Sequence, residues 1–266
     1  TPVDLEDRNV LTTLDQPALF APITKRTSLV KQAVRIPDTM RQAFRIATSG
    51  RPGAVQITLP MDVLDAEVDD LPLHAEEACR SYPAYRTRPD PVDVERAVEL
   101  LLQARQPTIV AGGGVVSSQA WPELTTLAEL LRSPVGTSIS GKGAIDENHP
   151  LSLGVVGSNG RRPYANAVLQ AADLIFYIGC KTGSVTTAEW TVPHLTTHQT
   201  ILHLDVDPVE IGRNYPTTVG LVGDAKLGLA DLVTVVPDRG TVSRPNPLTG
   251  MEKQVSDFWT DFETRA

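Results

Sequence analysis

The chain has 266 residues, 41% hydrophobic and 21% charged, with a formal net charge of -8. That length suits one large domain or a medium domain with additions, and an acidic chain without a basic run excludes a nucleic-acid partner. No apolar run is long enough to span a membrane, no signal peptide opens the chain, and Cys79 and Cys180 form no CxxC pair, so a reducing, cytoplasmic setting without structural zinc is expected.

The first helix expected with its own signals starts near Pro37, because proline suits the first helical turn. Met40, Ala43, Phe44 and Ala47 follow at i, i+3, i+4 and i+7 and make one apolar stripe. Gly50 is a fitting stop, since it accepts the left-handed backbone just past a helix end. Ala54 to Leu59 has strand character, and Pro60 ends it. This helix–strand end piece has an apolar helix face that needs something to cover it, and the chain opens on Thr1 as a cut or processed end would. From Met61 to Asp90, acidic residues crowd together with Pro72, Pro83 and Pro89. That composition predicts a linker over 61–89, with a long solvated loop as the alternative.

A regular alternation follows. Asp90-Pro91 caps a helix whose apolar face is Val94, Ala97, Val98, Leu101 and Leu102. Then come the strand PTIVAGGG, a helix bearing Leu124, Leu127, Ala128 and Leu131, the strand SPVGTSIS and a short strand in LSLGVVG. A helix from Tyr164 to Ala172, the strands DLIFYIG, TILHLDVD and TVGLVG, and a helix from Ala225 to Val235 complete the series. Strands this continuously apolar fit a parallel sheet covered on both faces. The fold class is therefore α/β: a doubly wound, mainly parallel, six-stranded Rossmann-like domain over 90–236, preceded by a partial α/β segment. Residues 237–266 read as a polar, proline-containing linker and a last helix carrying Val255, Phe258, Trp259 and Phe262, with exposed aromatic rings.

Ligands in such sheets lie outside the carboxyl ends of the strands. Those ends carry Gly112, Gly113 and Gly114; Gly179, Cys180 and Lys181; Asp205 and Asp207; and Gly223, Asp224 and Ala225. Glycines let a backbone approach phosphate or ribose closely, and aspartates accept from ribose hydroxyls or adenine. Each feature also has a plain structural reading. A triple glycine after a strand is often a tight turn, neither GxGxxG nor a P-loop occurs, and Asp207-Pro208 can cap the following PVEIG turn. His74, His149, His194, His198 and His203 lack metal-ligand spacing, Ser184 lacks nucleophile-elbow glycines, and Glu189 beside Trp190 is more ordinary as surface packing than as a raised-pKa acid.

The ordered set ALFAPITKRT, RIPDTMRQAFRIATSGRPGAVQITLPMDVL, PTIVAGGGV, TSISGKGAIDENHPLSLGVVG, ADLIFYIGCKTGS, HLDVDPVEIGRNYP and LVGDAKLGL resembles thiamine-diphosphate-dependent enzymes of the acetolactate synthase type. The resemblance implies that residues 1–60 close an N-terminal pyrimidine-binding domain, whose remaining sheet lies upstream. It makes 90–236 the central domain and points 237–266 toward an absent diphosphate-binding domain. It implies a parent enzyme that decarboxylates or ligates 2-oxoacids with thiamine diphosphate and Mg2+, as a homodimer or tetramer. The catalytic glutamate and the metal-binding GDG…N of that family match nothing here, so no catalytic residue and no metal ligand is assigned, and the chain alone is expected to be inactive. Leu11-Thr12-Thr13 stands where such enzymes read FQE. Gly179-Cys180-Lys181-Thr182-Gly183-Ser184 stands where they often read GxRFDDR, a loop that holds FAD. With Lys181 in place of the arginine, ADP is expected in preference to FAD if a nucleotide binds. A stand-alone adenine-nucleotide or FAD module and a ligand-free structural domain are the alternatives.

Overall fold

The computed structural model describes residues 2–265 apart from 7, 12, 161, 195–198, 241 and 247. It divides into two units, Thr1–Tyr85 and Arg86–Ala266.

In the first unit, Asp15 caps α1 (Gln16–Phe20) by accepting from the Ala18 N–H at 2.9 Å. Strand β1 (Arg26–Leu29) precedes α2 (Ile36–Thr48), and β2 (Val55–Thr58) precedes the single turn α3 (Met61–Leu64). The two strands pair in parallel, from Arg26 opposite Val55 to Leu29 opposite Thr58. This corrects the expectation that β2 has partners only outside the chain. Arg-Thr-Ser-Leu carries no strand signal, because four residues with three polar side chains show no apolar alternation. The end of α2 is closed twice. Gly50 takes φ +58 just past the helix, and the Lys25 ammonium donates to the carbonyls of Ile46, Ser49 and Arg51 at 2.6, 2.7 and 2.9 Å. A cation there opposes the negative end of the helix dipole. The expected apolar stripe is on α2 but is not core, because Met40 is 40% and Phe44 56% exposed.

In the second unit, six parallel strands lie in the order β5-β4-β3-β6-β7-β8. They are β3 (Pro107–Ala111), β4 (Val135–Thr137), β5 (Ser152–Val155), β6 (Leu174–Ile178), β7 (Thr200–Asp205) and β8 (Val219–Val222). Within this unit the order is 3-2-1-4-5-6, so the winding reverses between β3 and β6. One face packs under α4 (Pro91–Gln103), α6 (Trp121–Leu131) and α8 (Ala225–Arg239), with Val98, Leu101, Leu124, Leu131, Phe176 and Leu229 fully buried. The other carries α7 (Pro163–Ala171) and α9 (Glu252–Arg265), with Val110, Leu169, Ile175 and Tyr177 buried beneath. Val255 and Phe258 of α9 pack on that cluster, so this helix is only partly exposed. The Phe258 ring meets the Tyr164 ring edge-on at 6.1 Å, and the Arg162 guanidinium lies over Phe258 and Trp259 at 5.2 and 5.1 Å. Trp259 and Phe262 remain 37% and 55% exposed, as the sequence suggested. A short helix, α5 (Gly113–Ser117), follows β3, and its glycine start carries no helix signal in the sequence.

Candidate functional site

The reversal point brings the triple glycine of β3 against the end of β6. Gly112 donates its N–H to the Ile178 carbonyl at 2.8 Å, and Gly114 donates to the Gly179 carbonyl at 3.0 Å. A Cβ on Gly112 would stand 2.1 Å from the Gly179 oxygen, and one on Gly114 2.7 Å from the Gly179 Cα. The close approach that these glycines permit is therefore to each other's backbone. Gly113 faces Ser140 instead, with 3.1 Å to its Cβ, and Gly223 lies against the Pro89 ring, with 2.7 Å to its Cδ.

Next to the glycines, Cys180 is buried and Lys181 exposed. Burial pushes the Cys180 thiol up to about 11; the Asp205 charge adds to the rise, and a hydrogen bond to the Thr182 backbone opposes it. A thiol in that state is not a nucleophile at neutral pH. With Cys79→Ser removing the other cysteine, iodoacetamide at pH 8 is expected to leave Cys180 unmodified until urea unfolds the unit. Rapid labelling of the folded protein, read by mass spectrometry, would contradict this placement. The loop from 180 is pinned by Asn214, whose side-chain amide donates to the Lys181 and Thr182 carbonyls at 3.2 Å each, and by Trp190, whose indole N–H donates to the Thr182 carbonyl at 3.1 Å. Neither anchor is legible in the sequence, because Asn214 and Trp190 lie outside the strand ends.

Asp205 ends β7 with its carboxylate accepting from the Asp207 N–H at 2.9 Å, and Asp207 accepts from the Val209 N–H at 3.1 Å. Capping of the PVEIG turn by Asp207 is thus present. Asp224 is 4% exposed and caps α8 through the N–H groups of Lys226 and Leu227. It also accepts from Arg86 at 2.7 Å and from the Ser118 hydroxyl at 2.6 Å. Ala225 follows as the first residue of α8. The Tyr177 hydroxyl in β6 and His203 Nε2 in β7 are buried with no hydrogen-bond partner among the described residues. Burial lowers the His203 pKa, which keeps that ring neutral at pH 7.

Among the described residues, no group of three or more His, Cys, Asp or Glu could hold a metal ion. The histidine spacing of 194 and 198 and the Leu11-Thr12-Thr13 stretch each include a residue outside the described ones. No described helix is long and apolar enough to cross a membrane.

Residues 94–232 match the family model described as thiamine pyrophosphate enzyme, central domain. The chain belongs to that family. This central domain has relatives of the expected kind. Over 237 residues the chain is 39% identical to a probable acetolactate synthase large subunit of Methanocaldococcus jannaschii, covering 88% of the chain and 39% of that protein. Over 231 residues it is 36% identical to a glyoxylate carboligase of Escherichia coli O157:H7, covering 87% and 38%. The chain thus spans about two fifths of the length of these relatives. Benzoylformate decarboxylase from Polynucleobacter necessarius superposes with a TM-score of 0.73 over 91% of this chain and 44% of its own. At 21% identity that likeness speaks for the fold alone. The described residues of this central domain do not fit thiamine diphosphate. They offer no group of three or more His, Cys, Asp or Glu that could hold the metal of a metal-bound diphosphate.

Proposed function

We propose that these residues are the central scaffold of a thiamine-diphosphate-dependent enzyme that decarboxylates or ligates small 2-oxoacids. The observation that carries the reading is the match over 94–232, which falls on the doubly wound sheet. The acetolactate synthase and glyoxylate carboligase relatives support it from the sequence side. In this reading, thiamine diphosphate and Mg2+ are held by parts of a longer protein, and that protein works as a homodimer or tetramer. The scaffold's contribution is rigidity, since β3, β6 and β7 are buried over nearly their whole length. The test is the complete reading frame that encodes these residues, assayed for CO2 release from pyruvate and from glyoxylate with and without thiamine diphosphate. We expect cofactor-dependent release from one of them. A folded, soluble product that releases none from any 2-oxoacid overturns the reading.

A nucleotide role is proposed on narrower ground. The winding reversal between β3 and β6 is where such sheets bind nucleotides, and exposed Lys181 follows β6 there. Asp205 and Asp207 are the acceptors closest in kind to a ribose or adenine partner, and both also accept backbone N–H groups; Gly112, Gly114, Gly179, Gly223 and Asp224 are packed or bonded within the protein. ADP is expected to bind this chain more tightly than FAD, and Asp205→Ala to weaken it. Calorimetric titration of both ligands against both proteins checks this, and an ADP affinity untouched by Asp205→Ala removes that residue from the site.

A further inference from the structure

We infer that the amino-terminal end of the central sheet, opposite the crevice, binds a short-chain organic carboxylate between Arg105, Arg132 and Arg244. A cavity of about 160 Å3 lies there, lined by these three arginines together with Gln106, Val168 and Met251 among others. A second cavity of about 470 Å3 shares Arg105, Arg244 and Pro245 with it. Arg244 is 7% exposed. It donates to the Leu131 carbonyl at 2.8 Å and to the Leu101 and Leu102 carbonyls at 2.6 and 2.9 Å, closing the ends of α6 and α4. A guanidinium has five N–H groups. Three are used, all on neutral carbonyls.

A buried cation without an anionic partner is costly, so its charge calls for a counterion. The nearest acidic group to act on it is Asp173, whose carboxylate already accepts the Arg105 and Gln106 N–H groups at 2.7 and 2.9 Å. Arg105 and Arg132 are exposed and make no ion pair among the described residues. Three positive residues therefore meet one negative residue, in a chain whose net charge is -8. The rest of the lining is largely apolar, with Pro107, Pro134, Val168 and Met251 beside the arginines. That combination fits a carboxylate with a short hydrocarbon part better than phosphate, which presents acceptors on every side. The volume corresponds to roughly five waters, enough for such an acid.

The experiment uses the whole 266-residue chain with three probes at matched ionic strength: butyrate, its neutral isostere butyramide, and inorganic phosphate. The readout is the methyl NMR signals of Val168 and Met251. Butyrate should shift both saturably. Butyramide, which forgoes charge-assisted hydrogen bonds, should bind roughly ten- to a hundredfold more weakly. Because Arg105 and Arg132 are exposed, the R105Q/R132Q double variant should fold normally and lose roughly tenfold in butyrate affinity. No saturable shift with butyrate, equal affinity for butyramide, tighter binding of phosphate than of butyrate, or an unaffected double variant would each overturn the proposal.

Discussion

Asp224→Ala is expected to destabilise the unit Arg86–Ala266 by about 4 kcal/mol. The carboxylate is a junction. Oδ1 takes the Arg86 guanidinium at 2.7 Å and the Lys226 and Leu227 N–H groups at 3.1 and 3.2 Å, and Oδ2 takes the Ser118 hydroxyl at 2.6 Å. Arg86 also donates to the Ser118 oxygen at 2.6 Å, so the three side chains form one network. Alanine would uncap α8 and leave Ser118, 2% exposed, without its acceptor. Loss of a helix cap costs about 1 kcal/mol, and removing one partner of a buried pair costs about 3–5 kcal/mol. Asp224→Asn keeps an amide oxygen for the cap and is expected to cost about half as much. Trp121, Trp190 and Trp259 are the only tryptophans and all lie in this unit, so tryptophan fluorescence in urea reports its stability separately from the first unit. A change below about 1 kcal/mol for alanine would show that the network is not stabilising.

The partners of Asp224 lie 106 and 138 residues away, and no local pattern reveals such a pair. The aspartate itself was visible at a strand end, but the strand end alone does not separate a ligand contact from a helix cap. What was legible follows from short-range physics. Ile109, Val110, Phe176 and Leu202 sit in nearly unbroken apolar runs, so β3, β6 and β7 could be placed from sequence. Asp90-Pro91 announced α4, where Asp90 does accept from the Val92 N–H at 2.9 Å. Strand β1 was not legible, because its place depends on pairing with β2 and not on its own side chains. Arg244 was hidden for a related reason. It sits in a polar, proline-containing stretch, and only the fold shows that it closes two helices whose ends are more than a hundred residues upstream.

Gly112→Ala is expected to be strongly disruptive for a single-methyl change. The backbone of Gly112 is extended, at φ -100 and ψ -173, so alanine can adopt it and any effect is purely steric. Its Cβ would lie 2.1 Å from the Gly179 oxygen and 2.6 Å from the Cys180 Cα, both backbone atoms that no rotamer change can move. Relief requires β3 and β6 to separate, which breaks the 2.8 Å bond from Gly112 to Ile178 and the 3.0 Å bond from Gly114 to Gly179. Overpacking of this kind costs about 3 kcal/mol or more. Gly179→Ala adds backbone strain, since Gly179 has φ +54, to a contact of 2.6 Å with the Gly114 Cα. Gly183→Ala is the control: nothing lies within 4 Å of its Cβ, and it should change stability by less than about 0.5 kcal/mol. The comparison bears on function as well as fold. If Gly112→Ala were as harmless as Gly183→Ala, the space beside Gly112 would be open, and a phosphate or ribose could reach the triple glycine after all. Urea denaturation of the three variants, followed by tryptophan fluorescence, decides between backbone packing and ligand approach as the reason for glycine at this turn.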